Sequence, residues 1–154
     1  MSSAKRILLA LFGLLVAVSV ASRTVLAVGA TVVGSGLVTA GGAPAWFYAQ
    51  VDGDNPPNFE YWDYGSDPPR DIALVEAGEV KCVGELFGGQ TLRIKGSGSD
   101  SATGETVDLQ IFLVDGGGAG PHRMSLKATR SNGKTAYFVS MRDLDSGDLV
   151  VGCP

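Results

Sequence analysis

Four aromatic residues and two polar ones lie close together near the middle of the chain. In Ala45 to Asp52, alternation puts Trp46, Tyr48 and Gln50 on one face of a strand. In Asn58 to Tyr64 it does the same for Glu60, Trp62 and Tyr64. Between the two runs lies Gly53-Asp54-Asn55-Pro56-Pro57, a turn-forming stretch. If the runs pair as a hairpin with Asp52 opposite Asn58, Gln50 faces Glu60, Tyr48 faces Trp62 and Trp46 faces Tyr64. All six then share one face, and Phe47, Ala49, Val51, Phe59 and Tyr61 take the other, which suits a core. Flat aromatic faces edged by an amide and a carboxylate can stack on sugar rings or seat another protein.

Other candidate chemistry is thinner. Asp52-Gly53-Asp54-Asn55 begins like a calcium loop of helix–loop–helix type. Pro56 then takes a ligand position, and Asp63 stands where a bidentate glutamate is needed. A looser site would have to draw on Asp52, Asp54, Asp63 or Asp67. His122 is the only histidine, so no histidine cluster exists for a metal. Gly34-Ser35-Gly36 lacks the frame of a nucleophile elbow. The loop Gly116–Gly120 lacks the Lys-Ser/Thr and the helix of a phosphate cradle. The residues therefore name no catalytic set, no metal site and no cofactor.

The elements that position these residues are short alternating runs separated by Gly, Pro, Asn, Asp and Ser. They cover 31–39, 45–52, 58–64, 72–75, 79–87, 91–98, 106–115, 123–129, 134–141 and 148–153. Ala77-Gly78 separates the fourth run from the fifth, and Asn132-Gly133 reads as a two-residue hairpin turn. Eight to ten such strands at regular spacing predict an all-β fold, a single antiparallel barrel or sandwich.

Ahead of the fold, Lys5 and Arg6 precede the apolar run Ile7 to Val20, the pattern of a signal-peptide helix too short to span a bilayer comfortably. Ala21, Ala27 and Ala30 each offer a small residue at a cleavage position, and Ala27 leaves Arg23 and Thr24 in a polar tail. The expected organisation is a signal peptide over 1–27 and one all-β domain over 28–154, secreted or periplasmic and free of the membrane after cleavage.

The chain holds 12 Lys and Arg against 16 Asp and Glu. The leader contributes Lys5, Arg6 and Arg23 and no acid, so the domain keeps nine bases against all sixteen acids. That balance argues against nucleic acid and against anionic membrane surfaces, whose binding relies on clustered Lys and Arg. In an exported protein, Cys82 and Cys153 most simply form one disulfide. Both fall on the apolar face of their strands. Closing a loop of about seventy residues is worth roughly 4 kcal/mol in the loop-entropy account.

Four blocks, in order, resemble a group of small secreted bacterial β-domains of unassigned activity. They are Val33-Gly34-Ser35-Gly36, Phe59-Glu60-Tyr61-Trp62-Asp63, Val114 to Gly120 running into Arg123-Met124-Ser125-Leu126, and Ser131-Asn132-Gly133 with Gly147 to Val151. Such domains stand alone after a signal peptide or near the ends of surface-anchored proteins. This chain differs in its cysteine pair and in the Pro-rich loop 65–71. The resemblance implies a β fold and export, and it carries over no catalytic residue. The expected function is a non-catalytic binding or structural module that recognises a glycan or a cell-surface protein through residues 46–64. A small secreted enzyme or ligand-carrying barrel is the alternative.

Overall fold

The structure is a computed structural model that describes residues 25–26 and 29–154. The expected signal-peptide helix and its cleavage positions lie outside the described residues. Of the segment 1–27, only the short strand β1 (Val25–Leu26) is described, paired parallel to Glu79–Val80.

Nine further strands form one antiparallel sheet that curls into a half-barrel. They are β2 (Thr31–Ala40), β3 (Ala43–Val51), β4 (Asn58–Asp63), β5 (Arg70–Leu86), β6 (Gly89–Asp100), β7 (Glu105–Asp115), β8 (Arg123–Arg130), β9 (Thr135–Asp143) and β10 (Ser146–Gly152). Neighbours in the sheet run β10-β2-β3-β4-β5-β6-β7-β8-β9. Strict alternation sends Phe47, Phe59, Tyr61, Ile72, Leu92, Ile94, Ile111, Leu113, Met124, Leu126 and Leu149 into one filled core. That burial is the dominant favourable term, on the order of 1.5–3 kcal/mol for each large apolar side chain.

Two local expectations are corrected. Ala77-Gly78 does not end one strand and start another, because β5 runs unbroken from Arg70 to Leu86. Its pairing with β6 slips between Leu74 and Glu76, between Ala77 and Glu79, and between Cys82 and Glu85. A bulge adds a residue and bends the strand without ending it, and these slips let β5 and β6 turn the corner of the half-barrel. Asn132-Gly133 belongs to a three-residue connection. Gly133 N donates to Arg130 O at 2.9 Å, and Arg130 N donates to Lys134 O at 2.9 Å. Gly133 sits at φ +78°, the left-handed position such a hairpin needs.

The bridge Cys82–Cys153 is formed, with its ends 71 residues apart in sequence. It fastens the residue after β10 to the far half of β5. A disulfide fits an oxidising, extracellular or periplasmic environment.

Candidate functional site

The outward side of β10-β2-β3-β4 is the surface built from the residues singled out above. Trp46, Tyr48, Gln50, Glu60 and Trp62 all face out, while Phe47, Ala49, Val51, Phe59 and Tyr61 are buried. The pairing register, however, is two residues away from the expected one. Trp46 stands opposite Trp62, Tyr48 opposite Glu60 and Gln50 opposite Asn58. Tyr64 follows the end of β4 and is exposed, with no strand partner.

The turn explains the offset. Asp52 is not a paired strand residue but the organiser of the loop. Its carboxylate accepts from Asp54 N at 3.0 Å, Asn55 N at 2.9 Å, Asn55 Nδ2 at 2.9 Å and Gln50 Nε2 at 2.7 Å. The hydrogen bonds from Asn55, side chain first, hold the Asp52 carboxyl down to about 2. Its oxygens are thus filled by the chain's own donors, which removes Asp52 as a calcium ligand. The loop is longer than the sequence pattern implies, so pairing begins at Gln50–Asn58 and every later pair moves.

That shift stacks the two indoles. Trp46 and Trp62 lie with ring centroids 4.4 Å apart and planes tilted by 33°, and Trp46 keeps 37% of its surface exposed. Beside them, Tyr48 Oη donates to Gln50 Oε1 at 2.6 Å, and Gln50 Nε2 then donates to Asp52. The polar row along β3 is therefore held in place by its own hydrogen bonds.

Pairing across β2 and β10 widens the face. Leu37 stands opposite Trp46, Ser35 opposite Tyr48 and Val33 opposite Gln50. On the next strand, Asp148 faces Ser35 and Val150 faces Val33. Leu37, Val33 and Val150 are all exposed. Sequence reasoning missed these three. The alternation in Thr31–Thr39 held the signal for Val33 and Leu37, but nothing local said which strand they would neighbour.

Two surface concavities lie elsewhere. One, of about 430 Å³, is lined by Gly78, Glu79, Lys95, Gly96, Asp108, Leu109, Gln110, Lys127 and Thr129. It lies on the outer side of β5-β6-β7-β8, where Glu79, Lys95, Gln110 and Lys127 stand in register across four strands. Within it Glu79 is paired: Arg93 Nη2 donates to both of its oxygens, at 2.9 and 3.0 Å, with Lys95 Nζ 4.0 Å away.

The other, of about 360 Å³, lies where β9 meets the β2–β3 turn and includes Asp63, Ser66, Tyr137 and Arg142. Asp63, considered above for a loose calcium site, is buried here. It accepts from Gly65 N at 2.9 Å, from Ser66 N at 3.0 Å and from Tyr137 Oη. Tyr137 Oη also lies 3.1 Å from Tyr61 Oη. Burial, and donation of the phenol proton to Asp63, push Tyr137 far above the ordinary phenol range. Burial likewise raises Tyr61, to about 12. Both carboxylate oxygens are engaged and both phenols are held neutral, so the cluster is a fastening between β4 and β9. It offers no free base.

His122 stands between two carboxylates, with Nδ1 3.3 Å from Asp115 and Nε2 3.3 Å from Asp148. Among the described residues it makes no hydrogen bond to a hydroxyl or thiol. The Gly-rich loop before it folds into a short 3₁₀ turn at Gly117–Ala119. Among the described residues no three His, Cys, Asp or Glu side chains gather in a way that could hold a metal ion.

No protein-family model, curated protein or solved structure matches the chain. The turn-and-strand blocks described above therefore lend it no function.

Proposed function

We infer that the protein is a non-catalytic binding module of the extracytoplasmic space. Its outer β10-β2-β3-β4 face recognises a glycan or a surface protein. One observation carries the reading. Both tryptophans of the chain lie outside the core, stacked on each other at 4.4 Å and flanked by exposed Leu37. Large aromatic side chains left on a rigid sheet surface supply contact area at little entropic cost on binding. The core, meanwhile, is filled by Phe47, Phe59 and Tyr61 and does not need the indoles.

The test substitutes Trp46 and Trp62 with Ala, singly and together. Each variant is compared with the parent by circular dichroism, thermal melting, a glycan array and direct binding to extracted surface proteins. Retained folding with lost binding is the expected outcome. Loss of the fold would make the indoles structural and end the reading.

An enzyme or ligand-carrying barrel would need catalytic or ligand-holding groups around an interior space. The described core is packed with apolar side chains, and Asp63 and Tyr137 are engaged by each other. That arrangement favours the binding module.

A further inference from the structure

Charge on the aromatic face points to the chemistry of what docks there. From Gly29 to Asp71 the chain carries six acids and one base, Arg70. That base is withdrawn from the face. Its Nη1 lies 3.2 Å from Asp100 and donates to Ala136 O at 3.0 Å, and the guanidinium lies 4.8 Å from the centre of the Tyr137 ring.

Of the acids, Asp63 is buried and Asp52 is committed to its turn. Glu60 and Asp71 both adjoin Trp62. Glu60 lies two residues before it on the same face of β4, and Asp71 stands opposite it across the β4–β5 ladder. Neither takes part in an ion pair among the described residues, whereas Glu79, Glu105 and Asp143 are each paired with an arginine.

Uncompensated carboxylates beside an indole repel each other, and a neutral ligand leaves that charge uncompensated even where its hydroxyls donate to them. A cationic side chain gains twice. Its charge lies over the ring face, where the aromatic quadrupole attracts it, and its N–H groups meet carboxylate acceptors. Its aliphatic stem can lie along apolar surface such as Trp46 and Leu37. Anionic polymers and anionic lipid surfaces are repelled by the same groups.

We propose that this face docks a lysine- or arginine-bearing segment of a partner protein, with the cationic head over Trp62 beside Glu60 and Asp71. The proposal rests on the reading of the face as a binding surface and adds the charge of the partner.

The test titrates the full chain with an oligolysine peptide, an oligoglutamate peptide and a neutral oligosaccharide, following tryptophan fluorescence and calorimetry at low and moderate salt. The expected result is binding of oligolysine alone, weakened by salt. Binding should weaken roughly tenfold in the Glu60→Gln, Asp71→Asn double variant and in Trp62→Ala. Both variants are checked for an unchanged far-ultraviolet spectrum, and the isosteric double variant keeps the test open if the alanine variant misfolds.

Tryptophan-dependent binding of the neutral oligosaccharide, indifferent to Glu60 and Asp71, would overturn the cationic partner and leave the binding face standing. Oligolysine binding unaffected by all of these substitutions would place the contact elsewhere and overturn the proposal. No binding of any probe would overturn it as well. If both tryptophan variants were also silent in the array and surface-protein assays, the binding face itself would fall. Self-association through the Lys81, Arg93 and Lys95 surface of a second copy, seen as concentration-dependent mass, would also overturn it.

Discussion

The outer surface of the half-barrel has two contrasting sides. Over β10-β2-β3-β4 the outward residues are indoles, aliphatics, the hydrogen-bonded Tyr48 and Gln50, and Glu60, which has no ion pair among the described residues. Over β5-β6-β7-β8 they are Lys81, Arg93, Lys95 and Lys127, interleaved with Glu79 and Asp108 and with Phe112, which packs on Phe87. Both sides belong to one sheet and share one core, so the difference does not come from the fold. On the second side, Glu79 is met by two cations, Arg93 at 2.9 Å and Lys95 at 4.0 Å. On the first, Trp62 stacks on Trp46 and its carboxylate neighbours have no cation among the described residues. Exposed, uncompensated aromatic surface of this kind is what the proposed binding face rests on.

The strongest way to break this comparison is to separate the two sides physically. Replacing Cys82 and Cys153 with Ser removes the tie between β5 and the end of β10. It should cost roughly 4 kcal/mol in chemical denaturation. Hydrogen exchange should then report fraying of β10 before β6 or β7. Uniform loosening of the whole sheet would mean that the bridge does not join separable regions.

The next test sets inward against outward aromatics. Phe59→Ala empties a fully buried position and should destabilise by about 3–5 kcal/mol. Trp62→Ala on the same strand loses mainly its stacking with Trp46 and should cost about 1 kcal/mol. Equal costs from thermal melting would erase the distinction between core and face.

Alkaline titration sharpens the contrast without mutation. Tyr61 ionises at about 12 when folded and near 10 when unfolded. Its contribution to stability is therefore complete below pH 10 and lost as pH rises through about 12. Tyr137, shifted the same way, adds to the loss. Denaturation midpoints across that window should fall as tyrosinate absorbance rises, and Tyr61→Phe should flatten the fall. At the acid end, Asp52 is depressed to about 2. The order it gives its turn is present above its unfolded value of 3.8 and goes as pH drops through about 2, which the Asn55 amide resonance should show.

The smallest effect belongs to the charged side. Arg93→Ala breaks a partly exposed pair with Glu79 and should cost about 0.5–1 kcal/mol, less at high salt. A loss of several kcal/mol would mean that this surface is a structural network and more than a solvated face.

Much of this molecule was legible in the chain. The inward set Phe47, Ala49, Val51, Phe59 and Tyr61 and the outward set Trp46, Tyr48, Gln50, Glu60 and Trp62 followed from alternation, because side chains on a strand point to opposite faces by local stereochemistry. The cysteine pairing was likewise reachable from the two apolar strand faces that carry the thiols. Register was not legible, since it depended on how many residues the Asp52 turn consumed. Nor was the continuity of β5, because Ala77-Gly78 signals a turn locally and becomes a bulge only when β6 lies alongside. The Asp63–Tyr137 fastening joins residues 74 apart in sequence, and no local pattern reports such a pair.

By itself, then, the sequence determined an all-β chain, the sorting of its side chains between core and surface, and a domain short of basic residues. Tertiary structure alone decided which surface residues became neighbours. It brought Leu37, Val33 and Val150 beside the indoles, turned Arg70 inward to Asp100, and left Glu60 and Asp71 next to Trp62 without a counter-ion among the described residues. The physical reason is one of range. Which way a side chain points is fixed within a residue or two of backbone, whereas its neighbour is fixed by turn lengths, bulges and pairings summed along the whole sheet.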